Sequence, residues 1–415
     1  MSLSNITLTA AVRQNLLSLQ GTADLLATTQ GRLASGKKVN SALDNPTNFF
    51  TAAGLDARAS DISNLLDSIG NGVQVLQAAN TGITSLSKLV DTAKSIANQV
   101  LQQPSGYSSK ANVSIAAPTG AGALAVPGTA TDLTNAGTNS LQGETLIFKT
   151  SATATTTLTI SNVAGAGKVN TIDSLNTALS AAGIQLTASF NTNGSLTFTS
   201  TNDAASQTIT ATGTYAAPAA GSSTSVDVSG TATFGAVTAA VADPVSQATR
   251  SSLVSQYNQI IQQITTTAQD ASFNGINLLN GDSLKLVFDE TGKSSSTIQG
   301  VTFSPNGLGL KALTAGTDFI DTNGTNTVLT ALNTASITLR SQASAFGANL
   351  SIVQIRQDFN KNLINVLQTG SSALTLADSN EEAANSQALS TRQSIATSAL
   401  ALANQSQASV LQLLR

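Results

Sequence analysis

A long stretch near the start of the chain places small or apolar residues every three or four positions, which is the spacing of one helix face. Asn45 and Pro46 offer a capping side chain and a first-turn proline, and Pro104 marks the end. The pattern predicts one helix from residue 46 to 103, whose stripe other helices must cover. The stripe consists of Ile62, Leu65, Ile69, Gly72, Leu76, Ala79, Ile83, Leu86, Val90, Ala93, Ala97 and Val100.

Two later segments repeat this spacing and are predicted to cover the stripe. The shorter carries Leu253, Tyr257, Ile260 and Ile264. The longer carries Leu339, Ala343, Phe346, Leu350, Val353, Gln357, Asn360, Ile364 and Leu367. An ordinary core within one chain explains these stripes best, so we expect a three-helix rod. Its predicted core residues are Ile62, Leu65, Ile69, Leu76, Ile83, Leu86, Leu350, Val353, Ile364 and Leu367.

The chain ends carry weaker helical stripes, in which Gln and Ala take core positions. The first is Leu16, Leu19, Ala23, Leu26, Gln30 and Leu33, and the second is Leu389, Gln393, Ala396, Leu400, Ala403, Gln407, Val410 and Leu414. Such helices are marginal in water alone or as a pair, so our hypothesis is that they order when other copies bury them. Packing within one chain is the alternative. The predicted self-assembly residues are Leu16, Leu19, Leu26, Leu33, Leu389, Leu400, Val410, Leu411, Leu413, Leu414 and Arg415.

The middle of the chain, residues 105–243, changes to Ser, Thr, Ala and Gly with short alternating runs. Strands are predicted within Glu144–Ile160, Ile184–Phe190 and Ser195–Thr199, and a short helix at Asp173–Ala182. A turn is expected at Asn191–Gly194, and loops at Ala116–Asn139 and Thr214–Val226. The pattern predicts a small α+β domain inserted between helical segments.

Composition removes several classes of function. The chain has no His and no Cys, which excludes His- or Cys-dependent nucleophiles and the common zinc sites, so we expect no catalytic residue, metal or cofactor. A net charge of −3 gives no reason for nucleic-acid binding.

Residues 393–414 are uncharged but rich in Gln, Asn, Ser and Thr, so no membrane insertion is predicted. The first residues, MSLSNITLTA, lack the features of a cleaved secretory signal. Asp378, Glu381 and Glu382 suit a helix start better than a metal.

Four motifs, in order along the chain, resemble those of bacterial flagellins. They are Arg32–Ala42 (RLASGKKVNSA), Gly70–Gln77 (GNGVQVLQ), Phe273–Gly281 (FNGINLLNG) and the ending Leu402–Arg415 (LANQSQASVLQLLR). The resemblance covers about residues 1–104 and 245–415. It implies a mainly α fold, with terminal coiled-coil helices and a helical-bundle rod that carries a β-hairpin, the strands being Leu284–Phe288 and Thr297–Phe303. The outer α+β domain departs from the best-known family pattern, because it lies before the Phe273–Gly281 turn.

The predicted division is an inner terminal-helix domain of residues 1–45 and 371–415, a rod of 46–104 and 244–370 with a hairpin near 282–304, and an outer domain of 105–243. The resemblance implies a non-enzymatic subunit that self-assembles into the extracellular flagellar filament for swimming. It also implies type III export, and an export chaperone, a filament cap and hook-junction proteins as partners beside other flagellin copies. The alternatives are a hook-filament junction protein, a surface adhesin that does not assemble, and an enzyme within the outer domain.

Overall fold

The computed structural model describes residues 10–115, 133–134, 141–191, 195–219 and 222–413, with the backbone alone at residues 11, 407 and 410–413. The helices are α1 (Ala10–Ser35), α2 (Pro46–Leu101), α3 (Ile172–Ala181), α4 (Pro244–Asp270), α5 (Thr322–Thr375) and α6 (Ser379–Leu413). The strands are β1 (Tyr107–Ser109), β2 (Asn112–Ser114), β3 (Thr145–Lys149), β4 (Thr155–Ile160), β5 (Lys168–Val169), β6 (Leu186–Phe190), β7 (Leu196–Ser200), β8 (Thr208–Thr210), β9 (Ser225–Gly230), β10 (Val241–Ala242), β11 (Ser283–Val287) and β12 (Ser295–Gln299).

The predicted fold class is confirmed: long helices dominate, and a β-rich region is inserted between α2 and α4. Helix α2 begins as its sequence predicts, because Asn45 Oδ1 accepts a hydrogen bond from Asn48 N at 3.0 Å and Pro46 is the first helical residue. Helix α4 begins in the same way, with Asp243 as the cap and Pro244 behind it. The capping residue and the proline therefore determine where both helices begin, as their local sequence predicts.

The described chain forms two compact units. The first comprises residues 10–73, 285–297 and 351–413, and the second comprises 74–284 and 298–350. Helices α2 and α5 contribute to both units. In the first unit, α1 packs against α6, and Ala59, Ile62 and Leu367 form a buried cluster. Leu286 of β11 lies directly against Gly72 of α2 in this unit.

In the second unit, residues of the longest predicted stripe are buried. The stripe residues Leu76, Ala79, Ile83, Leu86 and Val90 of α2 are all buried. Ile261 of α4 is buried, whereas Ile260, the residue in the predicted stripe, is only half-buried. On this part of α4 the most buried side is therefore that of Ile261, next to the predicted stripe position Ile260.

The hairpin predicted near residues 282–304 lies close to that range but ends earlier than expected. Strands β11 and β12 pair, and Phe288 N donates to Ser294 O at 2.8 Å across the turn. The second strand was predicted at Thr297–Phe303, whereas β12 ends at Gln299. The correction has a local cause, because Gly300 N and Val301 N instead donate to the carbonyl oxygens of Asp282 and Leu278.

In the described part of the inserted region, two sheets lie over one apolar core, and β1 and β10 form a separate two-stranded pair. One has the order β2-β7-β6, and the other has the order β5-β4-β3-β9-β8. Helix α3 lies against β6, and the rings of Phe148 and Phe198 meet edge to face at 5.5 Å in the core. Most of the predicted Ala116–Asn139 loop and part of the predicted turn at Asn191–Gly194 lie outside the described residues, as do residues 220–221 of the loop Thr214–Val226.

Candidate functional site

The pair formed by α1 and α6 brings the two chain ends together. On α6, the half-buried residues Leu389, Gln393, Ala396 and Leu400 recur every three or four positions and coincide with the predicted stripe. On α1, Val12 and Thr29 are buried, and Leu19 and Leu26 are half-buried. The face between α1 and α6 therefore has few large apolar residues, and most of its side chains are only half-buried.

Other predicted assembly residues lie open in the single chain. Leu16 and Leu33 are 37% and 41% exposed, and their neighbours Leu17 and Leu25 are 69% and 57% exposed. The side chains of Val410, Leu411 and Leu413, and all of Leu414 and Arg415, lie outside the described residues. Helix α1 therefore presents leucines both to its partner α6 and to solvent.

Polar contacts join the ends of the two terminal helices. Lys38 N donates to Thr375 O at 2.7 Å, and Ala377 N donates to Gly36 O at 3.0 Å. Gly36 has a φ of +71°, a conformation that glycine adopts without steric cost and that lets α1 stop here. Arg32 and the buried Glu382 form an ion pair at 3.4 Å. Backbone hydrogen bonds and this ion pair together hold the junction.

Asp44 and Asp378 organise the two turns beside this junction. Asp44 Oδ2 accepts hydrogen bonds from Asn40 N and Ser41 N, both at 2.9 Å, and these backbone donors hold the pKa of the carboxyl below its usual value. Asp378 Oδ1 accepts from Asn380 N at 2.8 Å and so caps α6. Among the described residues, no group of three or more acidic side chains could hold a metal ion. The acidic residues near Asp378 serve the helix start.

Helix α5 carries an exposed apolar stripe that was absent from the sequence prediction. Ile352, Ile355, Phe359 and Val366 are each more than half exposed and recur at intervals of three, four and seven. They lie on a different face from the predicted stripe, of which Val353, Asn360 and Leu367 are buried. The same period-3.6 search could have found this second series, but the stronger first stripe accounted for the helix on its own. We call these four residues the α5 stripe.

Exposed stripes of this size are uncommon on proteins that remain monomers, since large apolar patches usually mark an interaction surface. Phe50 on α2 is also 65% exposed in the same unit. Within the described part of the chain, no helix is long and apolar enough to cross a lipid bilayer. The open leucines of α1 and the α5 stripe together form the candidate functional site.

Comparison with known proteins finds a family whose members part of this chain resembles. Residues 6–116 match the model of the bacterial flagellin N-terminal helical region. The predicted resemblance to flagellins is confirmed. Flagellin FljM of Caulobacter vibrioides is 32% identical over 164 residues, which are 39% of this chain and 59% of the relative. Flagellins FljK and FljO of the same organism are 30% and 28% identical over 164 and 172 residues. The matches span 59% to 62% of these relatives' lengths.

The flagellin-like motif Gly70–Gln77 now has a structural explanation. A Cβ atom on Gly72 would lie 2.4 Å from Leu286 Cδ2, so any residue larger than glycine would require the Leu286 side chain to move. Asn360 on α5 donates from Nδ2 to Phe288 O at 3.0 Å and holds the other end of the strand region. In this chain the motif therefore leaves space for the Leu286 side chain of the hairpin in the first unit.

Proposed function

We propose that this chain is a subunit that polymerises with copies of itself into the extracellular bacterial flagellar filament used for swimming. The observation that carries the proposal is the α5 stripe, which leaves four large apolar side chains open on a helix that is already packed on another face. The flagellin family match supports a structural role in place of an enzymatic one.

Magnitudes indicate that several surfaces must act together. Full burial of a Leu, Ile or Phe side chain contributes about 1.5–3 kcal/mol, so residues already half-covered contribute about 1 kcal/mol each when a neighbour covers the rest. The α5 stripe then supplies about 4 kcal/mol, which is at or below the cost of about 4–15 kcal/mol for immobilising a subunit. Assembly therefore also needs the open leucines of α1, contacting further copies.

The terminal pair is suited to this second contribution. Its stripe contains Gln393 and Ala396 where stronger helix pairs carry Leu or Ile. We propose that α1 and α6 are frayed in the free subunit and become stable when other copies bury them, which couples their folding to polymerisation. Contacts that repeat from copy to copy without closing generate a filament in place of a closed ring.

The remaining parts of the proposal follow from the family. We propose export in unfolded form by the flagellar type III apparatus, with an export chaperone, a filament cap and hook-junction proteins as partners. The predicted domains, with residues 105–243 outermost and 1–45 and 371–415 innermost, belong to this proposal as well.

Deleting Gln393–Arg415 tests the proposal. The shortened chain should keep the helical circular-dichroism signal of α2, α4 and α5 and remain soluble, but form no filaments in electron micrographs after salting-out. The control is Ser398→Ala in the full chain, because Ser398 is exposed and its hydroxyl donates to Ser394 O of its own helix. Filaments from the shortened chain would refute the role of α6, and a full-length chain that stays monomeric would favour the adhesin.

A further inference from the structure

The inserted region is joined to the helical part of the second unit by two short paired strands. Strand β1 follows α2, strand β10 precedes α4, and they pair antiparallel through Tyr107 and Ala242. Asp243 N and Gln247 Nε2 both donate to Gly106 O, at 2.9 and 2.8 Å. These contacts lie where the chain itself connects the two parts. Helix α5 begins much later in the sequence and has no such covalent connection.

Asp321 nevertheless links α5 to the inserted region. It precedes α5 and caps it, because its Oδ1 accepts from Gly324 N at 2.9 Å and its backbone oxygen accepts from Thr325 N at 3.2 Å. Its Oδ2 accepts from the hydroxyls of Ser206 and Ser223, both at 2.5 Å. Asp321 is only 1% exposed, so this carboxylate is held by protein donors on both sides.

A second contact joins the same helix start to the same part of the insert. Asn323 N donates to Asp203 O at 2.8 Å. The first amides of a helix have no acceptor within the helix, and an unpaired buried amide is costly. At the start of α5, the amide of Gly324 is satisfied by Asp321, and the amide of Asn323 is satisfied by Asp203 of the inserted region. The insert therefore completes the helix cap.

Arg250 of α4 fixes the backbone around this contact. Its guanidinium donates to Phe319 O at 2.8 Å and to Pro104 O at 2.9 Å, and the residue is 3% exposed. Phe319 has a φ of +59°, which is unfavourable for a residue with a side chain and persists only where surrounding contacts enforce it. Its buried ring also meets Tyr257 edge to face at 5.7 Å. The segment that leads to Asp321 is therefore rigidly placed.

We infer that Asp321 makes the start of α5 and the β8–β9 edge of the inserted region one cooperative folding unit, so that loosening either one loosens the other. If the Asp321 carboxylate lost the hydroxyl donors of Ser206 and Ser223, it would remain buried without partners, which is unfavourable. If it moved toward solvent instead, it would lose its hydrogen bond from Gly324 N and leave α5 without a cap. The inference concerns the single chain and goes beyond the proposed assembly.

The deciding experiment removes the insert's donors and measures the helix. In the Ser206→Ala/Ser223→Ala double variant, amide hydrogen exchange of Gly324 and Thr325 should become at least about tenfold faster, because hydrogen bonds to a charged acceptor are among the stronger ones. Helix α5 is unaltered in sequence in this variant. Unchanged exchange at both amides would overturn the inference.

The reverse experiment is Asp321→Ala, for which amides in β8 and β9 should exchange faster along with those at the start of α5. Asp243→Ala is the matched control, because Asp243 also caps a helix, but its Oδ2 accepts from Ser246 N at 3.1 Å and from the Ser246 hydroxyl at 2.5 Å, both within α4. It should loosen α4 and leave β8 unchanged. Loosening of α5 alone in Asp321→Ala would mean that Asp321 is a cap and nothing more. If Asp321→Ala does not fold, the serine variant decides alone.

Discussion

Phe346 and Phe359 offer a test of the division between folding and assembly surfaces on one helix. Both lie on α5, yet Phe346 is 1% exposed and Phe359 is 55% exposed. Replacing a buried Phe by Ala costs about 3–5 kcal/mol, so Phe346→Ala should lower the denaturant midpoint strongly. Phe359 buries only about half of its side chain, so Phe359→Ala should cost about 1 kcal/mol or less in the free chain.

The order should reverse when assembly is measured. If a neighbouring copy covers the exposed half of Phe359, its loss removes about 1–1.4 kcal/mol per subunit, and the critical concentration for polymerisation rises by about five- to tenfold. The free chain is followed by circular dichroism in denaturant and the polymer by sedimentation after salting-out. Equal destabilisation of the free chain by both variants would show that Phe359 is not open. An unchanged critical concentration would remove the α5 stripe from the interface.

Three further predictions follow from the packing and charges. Gly82→Ala should destabilise the free chain in thermal unfolding, because its Cβ would lie 2.6 Å from Ala271 Cβ and from Leu279 Cδ1, whereas Gly54→Ala meets nothing within 4 Å and should stabilise it by about 0.5–1 kcal/mol. Burial, followed by the charge of Asp318, raises the pKa of Tyr257 to about 12. The folded state therefore loses about 2 kcal/mol as pH rises from about 10 to 12, because the unfolded tyrosine ionises first, and Tyr257→Phe should reduce that loss in pH-dependent denaturation. Because only 10% of residues are charged, ammonium sulfate should lower the critical concentration more than sodium chloride of equal ionic strength, and an equal response would contradict apolar assembly.

The helices of this chain could be predicted because their signals are local. Asn45 and Pro46 fix the start of α2, and an unbroken stripe defines the face that it buries. The α5 stripe was not predicted. Periodicity identifies apolar faces on a helix, but it does not tell which of two such faces is buried within the same chain. The deeper burial of Ile261 than of Ile260 was equally open from the sequence, since adjacent residues on a helix differ by about 100° and both are isoleucines.

The insert shows where sequence reasoning ends. Alternation predicted strands where β3, β4, β6 and β7 lie, but the pairing of β3 with β9 joins segments about eighty residues apart. The parallel pairing of β8 with β9 could not be read from either strand alone. For Asp321, the cap of α5 could be predicted from the local sequence. Its contacts with Ser206 and Ser223 could not, because they depend on how the inserted region packs against the start of α5.

The strength of each stripe separates two tasks within one chain. The α2 stripe is rich in Ile, Leu and Val and is almost wholly buried, so it stabilises the subunit without help from neighbours. The α6 stripe substitutes Gln393 and Ala396 for large apolar residues and stays half-exposed. Had it been as apolar as the α2 stripe, the free ends would tend to bind one another or any apolar surface. Under the proposed function, a weak pair of ends that becomes stable only among copies delays association until assembly, while the α5 stripe favours the polymer.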